Sequence, residues 1–74
     1  MKIDLYDLIT LDNNKKYVVG SIIEYNDVKY YLLSDENNPK QYMFCYLKEN
    51  KLVKVKDDNI IKILSLKITK DLLK

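Results

Sequence analysis

Lys16-Tyr17-Val18-Val19-Gly20-Ser21-Ile22-Ile23-Glu24-Tyr25-Asn26-Asp27-Val28-Lys29-Tyr30-Tyr31-Leu32-Leu33 is the stretch that decides the fold. Two runs rich in β-branched and aromatic side chains meet at Asn26-Asp27. Such side chains fit a pleated, half-buried surface and favour strands. Asn and Asp tolerate left-handed backbone, so a two-residue link of this kind predicts a tight hairpin. The lone glycine, Gly20, falls inside the first run, where glycine often marks a bulge or bend. A strand over 16–25 needs such a bend to curl around a small core.

The same alternation of runs and turns extends outward. Asp12-Asn13-Asn14, the polar loop 35–39, Glu49-Asn50 and Asp57-Asp58-Asn59 read as turns. The runs between them predict consecutive antiparallel strands over 8–11, 16–25, 28–33, 41–48 and 51–56. In the fourth, Tyr42, Phe44 and Tyr46 share one face and Met43, Cys45 and Leu47 the other. Both faces are apolar, so that strand is predicted to be covered on both sides. In the fifth, Val53 and Val55 oppose Leu52, Lys54 and Lys56, the pattern of an edge guarded by lysines. From 59 to 74 the period changes. Ile61, Leu64, Ile68 and Leu72 follow helical spacing with Ile60 beside them, and Asp57 or Asp58 stands where a helix cap belongs. A further strand is the competing reading, because Ile, Leu and Thr dominate and alanine is absent. The predicted fold is α+β: an antiparallel meander of four or five strands, curled, with a C-terminal helix, in a single domain over 1–74.

Ile9-Thr10-Leu11-Asp12, a strand, a hairpin, then Lys29-Tyr30-Tyr31-Leu32-Leu33 and a polar loop resemble the YrzB-like family of small uncharacterised bacterial proteins. The resemblance runs from about Leu8 onward. It implies a meander ending in a helix, and no activity, since the family has none assigned. The chain departs from the family in charge, at +2 where the family is strongly acidic, and in the hairpin, where Asn26-Asp27 replaces the usual glycine.

Seventy-four residues make one domain, near the lower limit for a sizeable core. Cys45 is the only cysteine, so no disulfide can form within the chain, which favours a reducing compartment. No apolar run approaches the roughly 20 residues that span a bilayer, and Asp4 and Asp7 sit where a leader needs an apolar stretch. The expectation is a cytoplasmic protein with no membrane partner. All 13 basic residues are lysine. Lys, Asn, Ile and Tyr, the residues of A/T-rich codons, abound, which points to a low-GC bacterium, its phages or its plasmids. Absence of arginine removes the side chain that reads guanine and phosphate bidentately.

Little in the chain suits catalysis. Cys45 has no histidine to activate it and reads as a buried small hydrophobe. Ser21, Ser34 and Ser65 have no general base. The acid pairs Asp35-Glu36 and Asp57-Asp58 are adjacent in turns rather than opposed across a cleft. One glycine rules out a Gly-rich phosphate loop. The reading is a protein that is not an enzyme, with no catalytic, cofactor or metal residues and no cofactor.

Three surfaces remain. Tyr17 and Tyr25, counted by strict alternation, share one face of the long strand with Val19, Ser21 and Ile23 between them. Tyr42, Phe44 and Tyr46 form a second aromatic row, and so many rings predict an exposed aromatic patch. On the helix, Ile63, Leu66 and Leu73 fall away from the main ridge, which predicts docking on a partner, in the simplest case a homodimer. Lys51, Lys54 and Lys56, with Lys62, Lys67 and Lys70 on the helix, form a basic surface. The predicted function is therefore a binding protein acting through protein–protein contact. Its size and alphabet suit a phage or mobile-element inhibitor of a host enzyme such as a CRISPR nuclease. The alternative is weak nucleic-acid binding by lysines and tyrosines, for which a charge of +2 is small. A structural or assembly subunit is the third reading.

Overall fold

The computed structural model describes residues 2–38 and 40–72, with side chains described through Thr69. The chain forms β1 (Leu8–Thr10), β2 (Lys16–Tyr25), β3 (Val28–Asp35), β4 (Tyr42–Lys48), β5 (Lys51–Lys54) and α1 (Asp58–Leu72). The strands make one antiparallel sheet in the order β1-β2-β3-β4-β5, a simple meander. This is the predicted α+β architecture, with the sheet curled into a half-barrel. Strand ends differ from the predicted ones by up to two residues. β3 continues to Asp35 because Ser34 and Asp35 still pair with Val18 and Tyr17, and β5 stops at Lys54.

The turns follow from their residues. Asn26 and Asp27 have φ of 51° and 62°, and Glu49 and Asn50 have 52° and 65°. Two left-handed residues in a two-residue link make a type I′ turn, whose twist matches that of paired strands. Between β1 and β2, Asn14 at φ 62° donates its N–H to the Leu11 carbonyl at 2.9 Å. Between β3 and β4, the Asn37 amide donates to Asp35 Oδ1 at 2.8 Å.

Gly20 does mark a bulge. Val19 pairs with Leu33 but Ser21 pairs with Leu32, so Gly20 has no partner. An unpaired residue reverses the facing of everything beyond it. Tyr17 and Val19 therefore face one side and Ile23 and Tyr25 the other. This corrects the expectation that Tyr17 and Tyr25 share a face. A Cβ built at Gly20 would lie 3.8 Å from Leu32 and Ser34, ordinary contact, so it is the inserted residue rather than its missing side chain that makes the bulge.

The sheet buries both faces, as Tyr30 and Tyr31 show by being buried side by side in different cores. The inner core contains Tyr17, Val19, Tyr31, Leu33 and Cys45, with Ile3 packed against them. Among the described residues no side chain of α1 packs on it; Ile3, with Ile9 and Leu11 at one sheet edge and Leu52 at the other, closes over it. The outer core contains Ile23, Tyr30, Phe44 and Val55, covered by Leu64 with Ile60, Ile61 and Ile68 of α1. That apolar stripe explains why a segment rich in Ile and Leu is helical: packing of an amphipathic face outweighs propensity. Asp57 is the N-cap. Its Oδ1 accepts from the Asn59 N–H at 2.9 Å and its carbonyl from Ile61 at 3.0 Å, while Asp58 lies in the first turn.

Candidate functional site

The predicted aromatic surface divides between core and exterior. Tyr17 is 5% exposed and Phe44 4%, so both are core residues rather than interface. Tyr25 and Tyr46 are half-buried beneath α1. Lys67 Nζ lies 5.7 Å from the Tyr25 ring centre, and Tyr46 meets Tyr30 edge-to-face at 6.1 Å. Tyr42 alone of these positions is open, 60% exposed, with its ring edge-to-face with Phe44 at 6.2 Å. On the helix Leu66 is 60% exposed and Ile63 half-buried. Leu73 and the side chain of Lys70 lie outside the described residues. Lys51, Lys54, Lys56, Lys62 and Lys67 are exposed.

A patch not singled out in the sequence forms around Tyr42. The register places Leu8, Val18, Ser34 and Tyr42 in one cross-strand row on the outer face. None of them belongs to the helix-covered core, and Leu8 is half open. Leu5 and Tyr6 precede Leu8, and Tyr6 is 79% exposed. Its φ of 68° is costly for a bulky residue. Hydrogen bonds hold it there. The Tyr6 N–H donates to the Val19 carbonyl at 2.8 Å, and the Val19 N–H donates to the Asp7 carbonyl at 3.0 Å. The Asp4 N–H donates to Asp7 Oδ2 at 2.9 Å, closing the turn. The signal available in the sequence was the pair Asp4 and Asp7 bracketing two apolar residues, which reads equally as an acidic N-terminus.

A cleft of about 770 Å³ opens on the inner side between β1 and β5. Ile9, Leu11, Met43 and Leu52 form its apolar floor. Lys51, Lys54, Lys56 and Asp12 stand at its rim. Cys45 lies at the base, 1% exposed. Burial pushes its thiol up to about 11, against the pull of the Lys54 ammonium. At neutral pH the group is therefore protonated and a poor nucleophile. Among the described residues, no group of three or more His, Cys, Asp or Glu side chains is placed to hold a metal ion, and no helix is long and apolar enough to cross a membrane. Comparison with protein-family models, curated proteins and solved structures finds nothing that matches this chain, and none of them links it to the YrzB-like family.

Proposed function

We propose that this chain is a non-enzymatic binding protein acting through protein–protein contact, at the exposed Leu5 and Tyr6 together with the outer-face row from Leu8 to Tyr42. Tyr6 carries the reading: a tyrosine 79% exposed and held in left-handed backbone by a hydrogen-bonded turn. Backbone strain of this kind clusters at functional positions. Single exposed apolar residues are ordinary, but Leu5, Tyr6 and Leu8 lie within four positions, and the row of Leu8 crosses the sheet to Tyr42. Tyrosine is a favoured interface anchor because it offers a large rigid area with a polar tip. A cytoplasmic protein of a low-GC bacterium or its phage, blocking a host enzyme, is the role that size and composition suggest.

The test is affinity capture from the source cell, comparing wild type with a Tyr6→Ser, Tyr42→Ser double variant. The expected result is a protein retained by wild type in about 0.5 M salt and lost by the variant, whose circular dichroism and melting are unchanged. Retention of nucleic acid instead, released steeply by salt, would replace this reading with the basic-surface one.

A further inference from the structure

We infer that the cleft between β1 and β5 takes an extended, acidic segment of a partner protein, added as a strand to the free edge of β5. This rests on the protein-contact reading above and gives it a second, chemically distinct surface. The edge of β5 itself faces the opening. Lys51, Leu52, Val53 and Lys54 point alternately to the two faces of the sheet, yet all four line the cleft. One side of β5 is paired with β4, and among the described residues no strand pairs with the other. Unpaired backbone groups along an edge are a template for another strand. β5 is four residues long, so the paired stretch spans about 13 Å at about 3.3 Å per residue.

The lining sets the chemistry of the occupant. The register puts Leu52 and Lys54 on the inner face, with Ile9 and Met43, and Lys51 and Val53 on the outer, so an added strand meets an apolar side chain and a lysine on each face. Lys56 adds a further cation to the lining and Asp12 an anion. Three cations to one anion attract Asp or Glu and repel Lys. A single-stranded nucleic acid would also meet the lysines, but its bases stack on aromatic rings, and no aromatic side chain is among the described residues that line this cleft. The occupant that fits is therefore an extended segment that mixes apolar and acidic residues.

The experiment titrates the isotopically labelled full chain with a capped peptide of about seven residues mixing Val and Glu, followed by amide chemical shifts. Saturable shifts concentrated on residues 9–13 and 50–56 are expected. A Lys51→Glu, Lys54→Glu double variant should weaken binding by about tenfold or more, and methylating the peptide's strand-pairing nitrogens should abolish it. No shifts up to about 1 mM peptide, shifts located elsewhere, or equal binding of a Val–Lys peptide would each overturn the inference. So would an oligothymidylate that shifts the same amides at lower concentration than the peptide. The Tyr6→Ser, Tyr42→Ser variant should bind the peptide as wild type does, so failure of the outer strip and failure of the cleft are read separately.

Discussion

Cys45 sits across the strand pair from Lys54, a placement that ordinarily favours thiolate, yet its thiol is raised to about 11 because burial outweighs the neighbouring cation. The folded chain thus holds this proton more tightly than the unfolded chain, whose thiol titrates near 9.0. The resulting stabilisation is full below that value and is lost as pH rises from there toward 11, by roughly 2–3 kcal/mol in all. Urea unfolding of wild type and Cys45→Ala across this range checks it: the stability difference, wild type minus variant, should fall as pH rises. A difference that is flat with pH would show that the thiol is not desolvated in the fold. The burial of Cys45 was legible in its alternation with Phe44 and Tyr46. Its proton affinity was not, because the balance depends on a lysine nine positions away that only strand pairing brings opposite.

At the scale of the element, the helix start and the bulge differ in how openly the sequence states them. Asp57-Asp58-Asn59 before an Ile-rich period points to a capped helix, but the Ile, Leu and Thr content left a further strand open, and both that choice and the choice between the two aspartates are decided by the fold. Asp57→Ala should cost about 1 kcal/mol in urea unfolding, since it strips the acceptor from the Asn59 amide. Asp58→Ala should cost less, because in this position the carboxylate acts only through the helix dipole. Equal losses would contradict the assignment of the cap. Gly20 was legible as a bulge, but its effect on facing was not. Val18-Val19 and Ile22-Ile23 are apolar doublets on either side of it, so both parities of the strand look equally hydrophobic, and counting straight through Gly20 gives a self-consistent but wrong face for Tyr25. The first hairpin was readable because Asn26 and Asp27 both tolerate left-handed backbone, a local preference, whereas Glu49-Asn50 was legible only as a turn, since nothing in a glutamate announces the φ of 52° that it adopts.

Over the whole molecule, the cleft was the least legible feature, since it arises from the curl of the sheet bringing residues of β1 and β5 around one opening. The second helical ridge was legible as a pattern, but its described part reduces to an exposed Leu66 beside a half-buried Ile63. One aliphatic side chain gains about 1.5–3 kcal/mol on burial, below the roughly 4–15 kcal/mol that association costs. Leu66 alone therefore does not carry a homodimer, and Leu66→Lys should fold with stability within about 0.5 kcal/mol of wild type. Light scattering across a concentration series reads the oligomeric state: a dimer mass that the substitution abolishes would support the homodimer, and unfolding by Leu66→Lys would place the side chain in a core. The meander order has a consequence in time. Every strand pairs with its neighbour in the chain, so each closure spans a short loop and carries little entropy cost, the condition for fast folding in a β-rich protein. Only α1 must reach back across the sheet, setting Lys67 over Tyr25. The sheet can thus assemble from its two tight hairpins before the helix arrives, and until it does the outer rings of Tyr30 and Phe44 stand in water.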